Sequence, residues 1–184
     1  MSLKVVSLAA AVEFSDDFHL ARLLILLKTI GGRNGKPVKG IMKVAKLDFL
    51  LRYPNCLVRV LTATDRASDA ETIPEQERNT IEARMIRFRY GPWDTRYRRW
   101  IGLLVAKGLA NTYLEGKTVN LKLTDAGSAV VEQLCLLDEF KPLRVRSQLI
   151  HSSVGNLSAI RLKDLIYKVF PEILSMQWGE KINL

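Results

Sequence analysis

The order of hydrophobic patterns between residues 92 and 137 constrains the fold of this chain more than any other feature. Apolar side chains recur at spacings of three and four over residues 92–107, which predicts a helix. Residues 109–124, LANTYLEGKTVNLKLT, then form a pattern of two short strands with Gly116 in the turn between them. A second helix should follow, with Thr124 as its N-terminal cap.

This order of a helix, a hairpin, the LTDAG motif (residues 123–127) and another helix is typical of a winged-helix domain. Two earlier helices would supply the front half of the domain. The apolar positions are almost continuous from Phe18 to Ile30, which predicts a helix at the centre of the core. The next helix is predicted over residues 37–53, with Pro54 ending it.

The sequence therefore predicts a mainly α protein with a small β-hairpin. Residues 1–17 are expected to form an N-terminal arm, residues 18–140 the winged-helix domain, and residues 141–184 a C-terminal helical extension whose last residues are a tail. Residues near 62–79 are polar and acidic, and we expect them to form a flexible loop inserted into the domain. A chain of 184 residues suffices for one domain with such an appendage.

The overall charge favours an acidic partner. The net charge is +9 and the isoelectric point is about 9.7, for which nucleic acid is the first candidate. Hydrophobic residues make up 48% of the chain, enough to build a core. No apolar stretch is long enough to span a membrane and the N-terminus does not have the pattern of a signal peptide, so a cytoplasmic protein without a membrane partner is expected.

Residues that commonly carry catalysis or bind metals are few. Cys56 and Cys135 stand among leucines and have the pattern of small buried hydrophobic residues. His19 and His151 have no metal-ligand spacing with either cysteine, so no metal site and no cofactor are predicted. The GGRNGK turn differs from a phosphate-binding loop in its glycine spacing, and Pro37 replaces the required serine or threonine.

A metal-dependent nuclease is a weaker alternative. Asp125, Glu139 and Lys141 match part of a nuclease signature, but such sites hold their carboxylates on strands, where they can share a magnesium ion. Here Glu139 is predicted at the end of a helix. We therefore predict that the chain is not an enzyme.

Arginines and aromatic residues are concentrated between Met85 and Trp100, MIRFRYGPWDTRYRRW, and both types are enriched at interaction hot spots. The candidate partner- or DNA-binding residues are Arg84, Arg87, Arg89, Arg96, Arg98 and Arg99, with Lys117 and Lys122 on the hairpin. The residues predicted to brace the domain internally are Asp48, Trp93, Asp94 and Trp100. For Asp48, a pair with Arg52 or with an arginine of residues 84–89 is favoured over a catalytic role.

Three segments carry a resemblance to a known family: KLDFLLRYP (residues 46–54), IEARMIRFRYGPWDTRYRRWIGLLVAKGLA (residues 81–110) and LTDAG. They resemble the middle component of bacterial ABC three-component systems, which include the Lamassu type of anti-phage defence. The MIRFRYGPWD part is the most specific, because a generic winged helix does not require it. The similarity covers roughly residues 18–140. It implies a small winged-helix protein without catalytic residues, encoded beside an SMC-like ATPase and an effector that is often a nuclease.

The prediction is thus a non-enzymatic adaptor that links an SMC-like ATPase to an effector, with DNA as a further partner inside the complex. Arg96, Arg98 and Arg99 would meet either DNA or an acidic protein surface. The small number of cations on the hairpin favours the protein, since each neutralised phosphate needs a Lys or Arg. The alternative is a stand-alone winged-helix transcription regulator, which should dimerise on a palindromic site.

Overall fold

The computed structural model describes residues 15–32, 34–80 and 84–184, and most of the predicted N-terminal arm lies outside these ranges. The protein is mainly helical with small antiparallel sheets. Its helices are α1 (Asp16–Gly31), α2 (Ile41–Arg52), α3 (Pro54–Ala63), α4 (Ala67–Glu71), α5 (Glu75–Arg78), α6 (Tyr97–Ala106), α7 (Asp125–Leu134), α8 (Lys141–Val154), α9 (Ala159–Val169) and α10 (Pro171–Ser175). Its strands are β1 (Ile86–Phe88), β2 (Gly91–Trp93), β3 (Ala110–Glu115) and β4 (Thr118–Leu123). A single 3-10 turn, Asp138–Phe140, precedes α8.

Helix α1 occupies the centre of the core, as its apolar sequence predicts. The hydroxyl of Ser15 caps it by accepting a hydrogen bond from the Phe18 amide at 3.3 Å. Every residue from His19 to Leu27 is buried, including Arg22. A helix buried on all sides cannot be amphipathic, so its nearly continuous apolar pattern follows directly from its position.

Helix α2 begins at Ile41 and not at the predicted residue 37. Val38 forms an isolated antiparallel bridge with Leu121, with amide-to-carbonyl distances of 2.8 and 3.1 Å in the two directions. Gly40 then turns the chain into the helix with a φ of 90°, in the region that favours glycine. The prediction was wrong because this pairing with β4 holds the residues after Pro37 in an extended conformation.

The proline after α2 ends one helix and begins another. Tyr53 precedes Pro54 and leaves the helical conformation, as residues before proline tend to do. Pro54 then takes the first position of α3, where its missing amide proton is not needed. Helix α3 was not predicted, although its apolar face of Cys56, Leu57, Val60 and Leu61 is fully buried.

The prediction of a flexible acidic loop near residues 62–79 was wrong, because this segment folds into α4 and α5. Ala70 and Ile73 are buried in the core, which anchors the segment. The Nη1 atom of Arg146, a largely buried residue of α8, donates to Oε2 of Glu77 at 3.0 Å. Apolar anchoring and charge neutralisation together give the segment contacts that its composition does not indicate.

The helix predicted over residues 92–107 is shorter and begins at Tyr97. Strands β1 and β2 pair antiparallel before it, with Ile86 opposite Trp93. The C-terminal residues, predicted as a tail, pair with β1 on its other side: the amide of buried Ile182 donates to the Met85 carbonyl at 2.8 Å. The Tyr53 hydroxyl fixes this arrangement by donating to the Ile182 carbonyl at 3.0 Å.

The predicted hairpin is confirmed as β3 and β4, with Gly116 at a φ of 61° in the turn. The LTDAG motif then packs α7 against the residues before the hairpin. The Thr124 hydroxyl accepts from the Gly127 amide at 3.0 Å and donates to the Gly108 carbonyl at 2.7 Å. A Cβ atom at Gly127 would lie 2.0 Å from the Leu109 carbonyl oxygen, so only glycine permits this close approach.

The helices after residue 140 share the core of the preceding residues. Leu143, Ile150, Leu162, Ile166 and Phe170 are buried and belong to the same hydrophobic cluster as α1 and α2. The C-terminal helices therefore pack against α1, α2 and α3 as part of one core.

Candidate functional site

Asp48 of α2 is the centre of a buried charge network that joins α1, α2 and α6. Arg22 of α1 binds its carboxylate with two hydrogen bonds, Nε to Oδ1 at 2.7 Å and Nη2 to Oδ2 at 3.2 Å. Arg52 donates from Nε to Oδ2 at 2.9 Å, at the predicted four-residue spacing. The Tyr97 hydroxyl donates to the same oxygen at 2.5 Å. The four side chains are fully buried, so the network lies inside the protein.

The network continues through Asp94 towards the surface. Nη1 of Arg52 donates to Oδ2 of Asp94 at 2.8 Å, and Nη2 of Arg96 donates to the same oxygen at 2.8 Å. The Arg96 amide also donates to Oδ1 of Asp94 at 2.9 Å. Arg96 is therefore bound by Asp94 of the same chain, whereas the sequence predicted it on a partner-binding surface.

Trp100 covers this network and is fully buried. The guanidinium groups of Arg52 and Arg96 lie 5.2 and 4.8 Å from its ring centroid. Its indole Nε1 donates to Oδ1 of Asp16 at 3.0 Å, at the start of α1. Trp100 therefore connects the first helix to α6. We call the set His19, Arg22, Asp48, Arg52, Asp94, Arg96, Tyr97 and Trp100 the Asp48 network.

Of this network, His19, Arg22 and Tyr97 were not among the predicted site residues, and Arg52 was predicted only as one candidate partner of Asp48. Nη1 of Arg22 lies 2.6 Å from Nδ1 of His19 one turn earlier. The available signal was their position, because both interrupt the otherwise apolar run of α1. A polar residue at a position that must be buried requires a partner elsewhere in the fold. The sequence does not say where that partner is.

The network sets the protonation state of its members. Burial opposes ionisation of Asp48, but the charges of Arg22 and Arg52 outweigh it and lower the pKa of the carboxyl group. The pKa of Asp94 is also lowered, because hydrogen bonds from Arg96 and the charge of Arg52 exceed the cost of burial. Burial and the nearby Asp48 carboxylate raise the pKa of Tyr97 well above its ordinary value. Tyr97 therefore stays protonated and donates to Asp48.

Both lowered pKa values predict acid sensitivity. The unfolded chain binds protons on Asp48 and Asp94 at a higher pH than the folded protein does. The stabilisation is complete above the unfolded pKa of about 3.9 and is lost as the pH falls towards the folded values. We expect the urea midpoint of unfolding to fall steeply below about pH 4. An Asp48→Asn, Asp94→Asn double variant should show a flatter pH dependence, and an equally steep one would contradict this origin.

The predicted surface cations divide into exposed and buried groups. The exposed ones are Arg84, Arg89, Arg98, Arg99, Lys117 and Lys122. Arg99 also pairs with Asp16, with 2.5 Å between Nη2 and Oδ2. The prediction that Arg87 lies on a binding surface was wrong, because Arg87 is buried. Its Nε donates to the Ile173 carbonyl at 2.8 Å, and its guanidinium lies 5.4 Å from the Tyr167 ring centroid. Arg87 therefore fixes β1 to the C-terminal helices.

A groove lies between the start of α2, the β1–β2 hairpin and the β3–β4 turn. It consists of two adjoining cavities of about 370 and 470 Å³ that share Met42, Trp93 and Arg98. Its cations are Lys39, Arg98 and Lys117, and its aromatic residues are Phe88, Tyr90 and Trp93. We call this surface the basic–aromatic groove. Arg98, Lys117 and half-buried Trp93 are thus brought together, whereas Lys122 lies at a separate cavity beside Lys28 and Lys36.

The residues of the nuclease alternative do not converge. Asp125 opens α7, while Glu139 and Lys141 lie beyond its far end, and all three are exposed. A ten-residue helix is about 15 Å long. Within the described ranges, no group of three or more His, Cys, Asp or Glu side chains is arranged to hold a metal ion. Cys56 is buried, and burial raises its thiol pKa to about 12.

The candidate site thus has two distinct parts, the largely buried Asp48 network and the exposed basic–aromatic groove. None of the helices in the described part of the chain combines the length and apolar character that a membrane crossing requires. Comparisons with protein-family models, with curated proteins and with solved structures give no match for this chain.

Proposed function

We propose that the chain is a winged-helix adaptor that joins an SMC-like ATPase to an effector in an anti-phage defence complex. The observation that carries the proposal is the exposed face of α6. After Arg98 and Arg99, this face consists of Gly102, Val105 and Ala106. A helix that reads DNA presents polar side chains to the base edges of the major groove. A small apolar face suits contact with another protein better.

The element order supports the winged-helix part of the proposal. Helices α1, α2 and α6 precede the β3–β4 hairpin, and Val38 pairs with Leu121 of β4 in an isolated antiparallel bridge. Helix α6 stands directly before the hairpin, in the place of the recognition helix. The elements from α3 to β2 form an insertion between α2 and α6. Winged helices serve both DNA and protein partners, so the function must be argued from the surface.

The charge distribution supports a protein partner over a stand-alone DNA binder. Of the three arginines around the start of α6, Arg96 is bound to Asp94 and Arg99 to Asp16. Arg98 makes no ion pair with any described residue. On the hairpin, Leu114 is 71% exposed and Lys117 and Lys122 are its cations. Each phosphate that is neutralised requires a cation, so this surface can hold few phosphates.

The segment MIRFRYGPWD, on which the family resemblance depends most, has two uses in this fold. Arg87 and Asp94 form internal contacts, whereas Phe88, Arg89 and Tyr90 are exposed at the β1–β2 turn. Aromatic and arginine side chains on a surface are the types enriched at protein interfaces. This exposed part supports a partner contact specific to the family that the segment resembles.

The experiment is co-expression of this chain with the products of its neighbouring genes. We expect it to copurify with a coiled-coil ATPase and to bind duplex DNA only weakly when isolated. Val105→Asp, on the exposed face of α6, should weaken the complex at least about tenfold without changing the melting temperature. Leu174→Asp, a matched change at a position of α10 that is 52% exposed, should leave the complex intact. An unaffected complex with Val105→Asp would contradict the assignment of this face.

A transcription regulator remains the second candidate, because Arg98 and Arg99 are exposed at the N-terminal end of α6, where recognition helices contact base edges. It requires that the purified chain dimerise and bind a palindromic duplex tightly. Arg98→Ala should then weaken that binding and reduce its salt dependence by about one released counterion. This outcome, without copurification of an ATPase, would replace the adaptor proposal.

A further inference from the structure

The basic–aromatic groove has a lining that is cationic and apolar together. Lys39, Arg98 and Lys117 surround apolar residues such as Ile41, Met42 and Val119. None of the described residues that line the groove is acidic. Glu115 approaches from the rim, where its carboxylate lies 3.6 Å from the exposed Lys39 ammonium. The groove therefore has excess positive charge above an apolar floor.

The aromatic rings of the groove are already engaged with neighbours. Phe88 stacks on Trp93 with 6.0 Å between ring centroids, and Trp93 contacts Tyr97 at 5.1 Å on its inner side. The guanidinium of Arg89 lies 5.3 Å from the Tyr90 ring centroid. Single-stranded nucleic acid is held by bases stacked on free aromatic faces. Phe88 and Tyr90 are 39% and 46% exposed, and together with Met42 and Val119 they give the groove an apolar surface that suits aliphatic side chains.

A buried lysine adds positive charge beneath the groove. Lys46 is only 2% exposed, and its ammonium donates to the carbonyl of groove residue Met42 at 3.1 Å. Its Cε lies 3.7 Å from the Cβ position of Gly91, the residue after Tyr90. It pairs with no carboxylate among the described residues, and burial together with the charge of Lys163 lowers its pKa to about 8. Its charge adds to the positive potential of the groove above it.

We propose that the basic–aromatic groove binds an acidic segment of a protein partner that inserts aliphatic side chains between its carboxylates, an inference that rests on the proposed adaptor function. The aliphatic side chains pack against Met42, Trp93 and Val119. The carboxylates face Lys39, Arg98 and Lys117. This division matches the general pattern of protein interfaces, in which apolar anchors are surrounded by a charged rim.

The test begins with a phage library of short random peptides selected on the full-length protein. We expect the enriched peptides to be acidic and to contain leucine, isoleucine or valine. In fluorescence anisotropy with a labelled enriched peptide, an Arg98→Glu, Lys117→Glu double variant should bind at least about tenfold more weakly. Phe88→Ala should weaken binding as well. The control is a Lys36→Glu, Lys168→Glu double variant, which has the same change in charge away from the groove. It should bind the peptide as tightly as the unchanged protein does.

Several outcomes would overturn the inference. These are the absence of enriched peptides, enrichment of neutral or basic peptides, and equal loss with the control variant. Labelled oligothymidine is tested in the same way. If it binds more tightly than the peptide and the groove variant abolishes this binding, the groove is a nucleic-acid site. Self-association that is lost with the groove variant, measured by sedimentation, would assign the groove to a second copy of the chain.

Copurification separates the two proposals from each other. If the ATPase complex forms with the unchanged protein and is lost with Val105→Asp, the adaptor proposal holds whatever the groove binds. If the groove variant then retains every copurifying protein and binds the selected peptide normally, the groove inference alone fails. If no partner copurifies with the unchanged protein, the adaptor proposal itself fails.

Discussion

Asp48→Ala is expected to lower the free energy of unfolding by about 3–5 kcal/mol, because it leaves the buried charges of Arg22 and Arg52 without their shared carboxylate. Both guanidinium groups are fully buried and cannot turn to water. The Tyr97 hydroxyl loses its acceptor at the same time. Urea denaturation at pH 7 measures the effect.

Two further variants identify the physical origin of this loss. Asp48→Asn keeps the shape of the side chain and removes the charge, so it should lose most of the same stability if electrostatics dominate. Asp164→Ala removes an exposed aspartate that pairs with Lys163 at the surface, and it should cost no more than about 1 kcal/mol. If the free energy of unfolding of the Asp48→Ala protein lies within about 1 kcal/mol of that of the unchanged protein, the network contributes little to stability.

The features predicted from sequence are those that depend on residues close together in the chain. The hairpin of β3 and β4 follows from two short strand patterns on either side of the Gly116 turn, and the cap of α7 follows from Thr124 three residues before Gly127. These signals are local, since turn and cap chemistry is determined within a few residues. The central burial of α1 was predictable because its apolar residues leave no polar face.

The features that could not be predicted depend on contacts between distant residues. Val38 bridges Leu121, which displaces the start of α2, and Ile182 pairs with Met85, which fixes the C-terminal residues. Neither pairing leaves a periodic pattern in the sequence. The acidic residues 62–79 resemble a loop by composition, but tertiary contacts such as Arg146 with Glu77 order them. Tertiary contacts override local preference in each of these cases.

The burial of the arginines in the candidate site could not be predicted from the sequence either. Arg87 and Arg89 are separated by one residue and have similar sequence surroundings, yet Arg87 is buried and Arg89 is exposed. Residues two apart in a strand share a face, so alternation alone predicts no difference between them. They differ because Arg87 lies within β1, against the C-terminal helices, whereas Arg89 lies beyond the end of β1, in the turn to β2. Arg96 and Arg98 also differ, because Asp94 binds only the former among the contacts described. The residue types were enough to identify this segment as important. Only the fold shows which of its arginines make internal contacts and which are exposed.

Trp100→Ala should also cost about 3–5 kcal/mol, the range for truncating a large buried aromatic side chain. The change removes the cover of Arg52 and Arg96 and the hydrogen bond from indole Nε1 to Asp16. Urea denaturation followed by circular dichroism measures the loss. The matched control is Trp178→Ala, which truncates a tryptophan that is 67% exposed and should change stability by less than about 0.5 kcal/mol.

The effects of Trp100→Ala and Asp48→Ala should not add, because both side chains contact Arg52. Once Asp48 is gone, Arg52 keeps only Asp94 of its two described carboxylate partners and is held less firmly beneath the indole, so removing Trp100 then costs less. The double variant should therefore lose less stability than the sum of the single variants, with a coupling energy of about 0.5–3 kcal/mol. Strict additivity would mean that the indole contributes only its own burial and that the charges beneath it are held independently of α6.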